Sequence, residues 1–146
     1  MKKEWIDLIK DHIVLEQLRI DINTGSAESF QKVSGIGEKI SNRIIKFRNS
    51  LGGFYSIKQL VSVYGIDSTL IIKNQHIFRL NKLQNKINVN TSGLKNLVKH
   101  PFMSIQQGEE IIKIRSVYGK IDSHALKDIF TSIEWIEVRH YLKWKN

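Results

Sequence analysis

The chain has no cysteine among its 146 residues, which excludes a disulfide framework and a thiolate metal site. It also has no long hydrophobic run, because Asp7 and Asp11 interrupt the apolar residues that follow the basic start. We therefore expect neither a signal peptide nor a membrane span in this sequence, which makes the cytoplasm the default location. The nucleotide-binding loop, the dinucleotide fingerprint and the nucleophile elbow of common enzyme classes are missing as well.

Side chains suited to catalysis or metal binding are few and scattered. The five histidines, at positions 12, 76, 100, 124 and 140, show no metal-ligand spacing with each other or with carboxylates. Glu109 and Glu110 are adjacent, so on a helix they point in different directions and make a poor catalytic pair. We predict that the chain is not an enzyme and has no metal site or cofactor of its own, apart from the monovalent cation considered below.

The charge of the chain is strongly positive. Lysine and arginine number 23 against 14 acidic residues, which gives a net charge of +9 and an isoelectric point near 9.8. Such an excess raises the affinity for polyanions such as nucleic acids. An alternative explanation of the positive charge is a codon bias toward Lys, Ile and Asn. All three residues are abundant in this chain.

The sequence contains an internal duplication. At an offset of 67 residues, and without a gap, the following pairs coincide: Asn23 with Asn90, Ile44 with Ile111, Arg48 with Arg115, Gly52 with Gly119 and Phe54 with Ile121. A repeat of this length indicates two copies of one structural unit. Because Arg48 and Arg115 recur in both copies, we predict a structural role for them as caps of helix carbonyls.

Both copies have helical periodicity, and no convincing strand pattern is found, so the predicted fold class is all-α. We divide the chain into an N-terminal amphipathic helix (1–19), unit 1 (20–80), a polar linker (81–86) and unit 2 (87–146). The apolar stripe of the N-terminal helix, with His12 among its residues, is expected to pack on unit 1. Thr131 and Glu134 have the spacing of a capping box at the start of the last helix.

A glycine-rich turn in unit 1, Ser34-Gly35-Ile36-Gly37-Glu38-Lys39, carries the clearest chemical signal; we call it the first hairpin. Gly35 and Gly37 are expected to supply positive φ, and Ile36 between them is expected to point inward. The N–H groups of Gly37, Glu38 and Lys39 then lie in the first turn of a helix, where a phosphate oxygen can accept from them.

Basic side chains extend this candidate phosphate site. Lys39 and Arg43 are four residues apart and share a helix face, and Lys46 follows on the same helix. The alternative interpretation is that Gly-Ile-Gly is only a tight turn between helices. The added basic residues favour phosphate binding, which would be independent of base sequence and sensitive to salt.

These motifs resemble those of the tandem helix-hairpin-helix domains (SAM-like) of the ComEA type, the DNA-receptor family of bacterial natural competence. The resemblance rests on Asp21-Ile22-Asn23-Thr24-Gly25-Ser26, on the first hairpin, and on Ile44-Ile45-Lys46-Phe47-Arg48 with Gly52-Gly53-Phe54. The sequence His100-Pro101-Phe102 is similar to a feature of duplicated forms common in Bacteroidetes.

This resemblance implies two tandem helix-hairpin-helix units, an N-terminal helix and sequence-independent DNA binding. Proteins of this family are often secreted or membrane-anchored. The carbonyls of their hairpins sometimes hold a monovalent cation, which the resemblance allows at the first hairpin here.

Unit 2 lacks every element of the candidate site. At the offset of 67, Phe102 replaces Gly35, Ser104 replaces Gly37, Gln106 replaces Lys39 and Glu110 replaces Arg43. Ser104 and Gln107 instead have capping-box spacing. We therefore expect unit 2 to be a scaffold or a protein-contact surface. A second hypothesis for the whole chain is a protein-interaction adaptor in which both units serve as scaffolding.

Two further segments are candidates for nucleic-acid contact. Tyr64-Gly65-Ile66-Asp67, the second hairpin of unit 1, has one glycine of the pair, and Asp67 is a good N-cap that repels phosphate, so we expect a weak contact or none. Trp135, Tyr141 and Trp144 lie beside basic residues and could stack on single-stranded bases. Core packing is the favoured interpretation of these three aromatics.

Overall fold

A computed structural model describes residues 2–83 and 85–145 of the chain. It is mostly helical, which confirms the all-α prediction. The α-helices are α1 (Lys2–Leu18), α2 (Ala27–Gln31), α3 (Glu38–Leu51), α4 (Ser68–Asn74), α5 (Leu94–Leu97), α6 (Ile105–Tyr118), α7 (Ser123–Ile129) and α8 (Ser132–Val138). The segments Ile57–Ser62 and Arg139–Tyr141 are 3₁₀ helices.

The chain forms two compact units. One contains Met1–Phe47 and Phe54–Lys82, and the other contains Arg48–Gly53 and Leu83–Asn146. We keep the names unit 1 and unit 2 for them. The last turn of α3 is therefore grouped with unit 2, although the rest of that helix belongs to unit 1.

Unit 1 is built on two similar hairpins. In the first, the N–H of Ile36 donates to the carbonyl of Val33 at 3.0 Å; in the second, the N–H of Ile66 donates to Val63 at 3.0 Å. Ile36 and Ile66 are both buried, so each apolar residue secures its turn against the core. The inward orientation predicted for Ile36 is confirmed.

Two short pairs of parallel strands close the ends of the units. Strand β1 (Ile20–Asp21) pairs with β2 (Phe78–Arg79), and β3 (Ile87–Asn88) pairs with β4 (Leu142–Lys143). No strand pattern is visible in the sequence at these four places. Two residues are too few to show the period of two by which a strand is recognised in a sequence.

The Asn-Thr motif, at Asn23-Thr24 and Asn90-Thr91, links two distant segments of the chain in each unit. The side chain of Asn23 accepts from the Phe54 N–H at 2.7 Å and donates to the Phe54 carbonyl at 2.9 Å. Asn90 makes the same pair of bonds with Ile121, at 2.8 and 3.0 Å. A side-chain amide that satisfies both polar groups of a distant residue fixes the loop that carries it. The motif is thus explained by structure, without a ligand.

The core of unit 2 contains the C-terminal aromatics. Tyr141 is buried and donates its hydroxyl to the Gly53 carbonyl at 3.0 Å. Trp135 and Trp144 are half-buried against the apolar cluster of the unit. Core packing is therefore confirmed for all three.

His100 is buried in the same unit with both ring nitrogens engaged. Nε2 lies 2.9 Å from the Leu51 carbonyl, and Nδ1 accepts from the Phe102 N–H at 3.1 Å. The two bonds together require the neutral ring with its proton on Nε2, because Nδ1 cannot accept once it is protonated. Burial lowers the pKa of His100, and the hydrogen bond to Leu51 opposes this shift only in part.

Helix α1 differs from its prediction. The helix exists, but none of its described residues is buried, and Trp5 and Leu8 stay largely exposed. The expected packing on unit 1 is wrong, and His12 is exposed as well. Apolar residues lie on several sides of α1, so it lacks the single stripe that would direct one face inward. No helix within the described residues is long and apolar enough to cross a membrane.

Candidate nucleic-acid interface

The two glycines of the first hairpin have different roles. Gly35 has φ +93°, and a Cβ placed on it would lie 2.9 Å from Cδ1 of Leu70. Gly37 does not have positive φ, and a Cβ on it would meet nothing within 4 Å. The prediction of positive φ is therefore correct for Gly35 and wrong for Gly37. The positive φ favours glycine at position 35, whereas at position 37 the missing side chain leaves open space beside the helix start.

That open space lies at the start of α3, which has no side-chain cap, whereas the starts of α4, α6 and α8 each have one. The four-residue helix α5, which begins after Gly93, also has no side-chain cap. Asp67 accepts from the Leu70 N–H at 2.8 Å, Ser104 from the Gln107 N–H at 3.2 Å and Thr131 from the Glu134 N–H at 3.3 Å. The capping boxes at Ser104 and Thr131 are confirmed. Gly37 stands in the same position before α3 and has no side chain to offer. None of the hydrogen bonds found in residues 2–83 and 85–145 uses the N–H of Glu38, Lys39 or Ile40.

Basic side chains surround these amides. Lys39, Arg43 and Lys46 are all exposed on α3, at spacings of four and three residues that place them on one face. Within the described part of the chain, none of the three is in an ion pair. Their charges are therefore available to an anion. The Glu38 side chain is exposed at the same helix start, and its carboxylate opposes an anion there.

Backbone groups of Ser34 and Ile36 are already engaged in hydrogen bonds within unit 1. The N–H of Ile36 is committed to Val33, so it is not free for a phosphate. Ser34 is exposed, and its carbonyl accepts from Nδ2 of Asn74 at 3.4 Å. The carbonyls of Val33 and Ser34 each accept one of these hydrogen bonds and keep a second lone pair. Such lone pairs are compatible with the monovalent cation that the resemblance allows. The function proposed below does not depend on that cation.

Arg43 is held against the second hairpin. Its NH1 group donates to the Tyr64 carbonyl at 3.0 Å, and its guanidinium lies 4.9 Å from the centre of the Tyr64 ring. Sequence reasoning missed this pair because the two residues are far apart in the chain and neither belongs to a local motif. A guanidinium has five donors, so the bond to Tyr64 leaves others for a phosphate.

The corresponding surface of unit 2 is organised for packing. A Cβ on Gly108 would lie 2.7 Å from Cγ1 of Val98, so the helices there approach more closely than a larger residue allows. Arg115 donates to the carbonyls of Val89 and Ser92, both at 2.9 Å. Its predicted structural role is confirmed, but the carbonyls belong to the Asn-Thr loop and not to a helix end. Within residues 2–83 and 85–145, no cluster of three potential metal ligands was found.

Comparison with known proteins identifies the architecture of unit 1. Residues 16–79 match the family described as helix-hairpin-helix motif. A helix-hairpin-helix domain is therefore present in this part of the chain, and the motif supports nucleic-acid binding in general.

Similar proteins are found among animals and bacteria. Endonuclease/exonuclease/phosphatase family domain-containing protein 1 of Danio rerio is 41% identical over 64 residues, which cover 44% of this chain and 12% of that protein. Its namesake in Xenopus laevis is 22% identical over 136 residues, covering 77% of this chain and 24% of that protein. A protein of Haemophilus influenzae, named only as uncharacterized, is 36% identical over 58 residues, covering 39% of this chain and 52% of that protein.

In each of these matches, the chain spans about half or less of the relative's length. No solved structure matches the chain.

Proposed function

We propose that the protein binds DNA without sequence preference, and that the first hairpin contacts the phosphate backbone. The N–H groups of Glu38, Lys39 and Ile40 would donate to phosphate oxygens. Lys39, Arg43 and Lys46 would supply positive charge along the strand. Contacts of this kind carry affinity and position the protein, but they do not distinguish bases.

The observation that carries the proposal is the uncapped start of α3. Asp67 and Ser104 show how this fold satisfies the same amide when no ligand is needed. In α3 the corresponding amide is that of Ile40, and Gly37 has no side chain to cap it. The space beside Gly37 is open, and the helix dipole favours an anion there. A bound phosphate would satisfy those donors.

The finer resemblance to ComEA-type competence receptors forms part of this proposal. Contacts limited to phosphate would suit a DNA receptor of that kind, because they do not distinguish bases. The proposal assigns unit 1 the binding role and leaves unit 2 as a scaffold whose hairpin is capped by its own Ser104.

A protein-contact role for unit 2 is the second candidate. The surface around its own hairpin is lined by Phe102, Ile133, Glu134 and Glu137, and Ile133 is exposed. An apolar and acidic lining disfavours phosphate and suits a protein partner. This candidate concerns unit 2 alone, so it is compatible with DNA binding by unit 1.

Fluorescence anisotropy with a labelled duplex of random sequence, measured over a salt series, tests the proposal. We expect wild-type binding to weaken steeply with salt, because phosphate contacts release counterions. The variant Lys39→Glu should bind more weakly. The control Lys127→Glu makes the same charge change at an exposed position in the last turn of α7 in unit 2 and should have a much smaller effect.

Equal losses in both variants would show that only net charge matters. A wild-type protein that binds no duplex even at low salt would reject the proposal.

A further inference from the structure

Tyr64 is an exposed aromatic residue beside the candidate phosphate site. Its side chain is 82% exposed, although it belongs to a hairpin whose neighbouring residues Val63 and Ile66 are buried. The corresponding position in the first hairpin is the small residue Ser34. The Tyr64 ring is therefore not part of the core of unit 1.

Arg43 holds the position of this ring. The guanidinium covers one part of the ring at 4.9 Å while NH1 bonds the carbonyl of the same residue. Arg43 therefore contacts both the ring and the backbone of Tyr64, which restricts the orientation of the ring. Because Tyr64 is highly exposed, most of the ring surface stays open. A ring that is already oriented loses less conformational entropy when a flat ligand stacks on it.

The ring lies next to the helix start that would hold the phosphate. A Cβ placed on Gly65 would lie 3.2 Å from Cγ1 of Ile40, which is in the first turn of α3. The backbone after Tyr64 therefore packs on the same turn whose amides are uncapped. A nucleotide with its phosphate on that turn would have its own base, or the next one, near Tyr64.

We propose that Tyr64 stacks on an unpaired base of single-stranded DNA whose phosphate lies on the first turn of α3. This inference rests on the proposed phosphate contact and adds a preference for DNA that contains a single-stranded stretch. In a duplex the bases are already stacked on each other, so the ring would gain nothing from them. Asp67, which repels phosphate, is no obstacle to a base contact by this second hairpin.

The test compares single-stranded and duplex DNA. Anisotropy is measured with a labelled oligothymidine and with a labelled duplex. The variants are Tyr64→Ala, Tyr64→Phe and, as a control, Tyr118→Ala, which removes a tyrosine of unit 2 that is 77% exposed. Base-aromatic stacking predicts that Tyr64→Ala weakens binding to oligothymidine by about 5- to 150-fold.

The same variant should weaken duplex binding much less, because the backbone carbonyl that accepts from Arg43 is kept. It should also leave the salt dependence of single-strand binding unchanged, because the ring carries no charge. Tyr64→Phe keeps the ring and should bind as the wild type does, and so should Tyr118→Ala.

Three results would overturn the inference: unchanged oligothymidine binding by Tyr64→Ala, equal losses on both DNAs, or a loss in Tyr64→Phe as large as in Tyr64→Ala. Each of these results would leave the phosphate proposal standing, provided the wild type binds duplex and Lys39→Glu binds it more weakly. If the wild type binds neither DNA, the phosphate proposal fails, and the stacking inference fails with it.

Discussion

Replacing Gly37 by serine should stabilise the protein and weaken DNA binding at the same time. Unit 2 shows the expected geometry, since Ser104 stands at the equivalent position and caps the amide three residues on at 3.2 Å. In unit 1 that amide belongs to Ile40. The introduced hydroxyl would therefore occupy a donor that the proposal assigns to phosphate.

The two effects differ in size as well as in sign. Serine is a better N-cap than glycine by a few tenths of a kcal/mol, or about 1–2 °C in melting temperature. A hydrogen bond to a charged group contributes about 1.5–3 kcal/mol. Loss of one such bond to phosphate predicts duplex affinity lower by about 10- to 150-fold.

Thermal unfolding followed by circular dichroism measures the first effect, and anisotropy measures the second. Gly35→Ala is the matched comparison, because φ +93° and the 2.9 Å approach to Leu70 make any side chain there strained. That variant should lose more than about 1 kcal/mol of stability. Wild-type affinity in a well-folded Gly37→Ser would refute the reasoning, since the capped donor would then have no part in binding.

Two further predictions concern charges. Glu38→Gln removes the carboxylate beside the uncapped amides and should raise duplex affinity about two- to fivefold at low salt, while removal of a favourable helix-dipole contact lowers stability by about 0.3–1 kcal/mol; anisotropy and thermal unfolding measure the two, and unchanged affinity would contradict the site. The lowered pKa of His100 means that the unfolded chain binds more protons below pH 6.5, so stability should fall as the pH drops below that value. His100→Gln should flatten this dependence in urea unfolding measured at several pH values. The part due to His140, whose pKa is lowered by burial as well, should remain, and so should the part at more acidic pH due to Asp122 and Glu134, whose pKa values are lowered by backbone hydrogen bonds. A dependence identical to that of the wild type would contradict the assignment.

Local signals in the sequence predicted local structure well. The capping boxes at Ser104 and Thr131 depend on residues three positions apart, and the structure has both. The buried position of Ile36 follows from a turn too short to place its only apolar residue elsewhere. Such features are set by neighbours in the chain, so they can be found without knowledge of the tertiary fold.

Three features of the structure could not be predicted from the sequence. The φ of Gly37 could not be separated from that of Gly35, because both glycines fit the same turn pattern. The pair formed by Arg43 and Tyr64 joins two hairpins that are far apart in sequence. The exposure of α1 also depends on tertiary contacts that apolar residues alone do not specify.

The most direct test of the central claim is a titration of the ¹⁵N-labelled protein with a short DNA duplex, followed by amide NMR shifts. The account predicts that the amides of residues 37–40 shift most, that added salt reverses the shifts, and that the amides of residues 104–107 in unit 2 stay unchanged. Shifts centred on unit 2, or no shifts at residues 37–40 while DNA is bound, would contradict it.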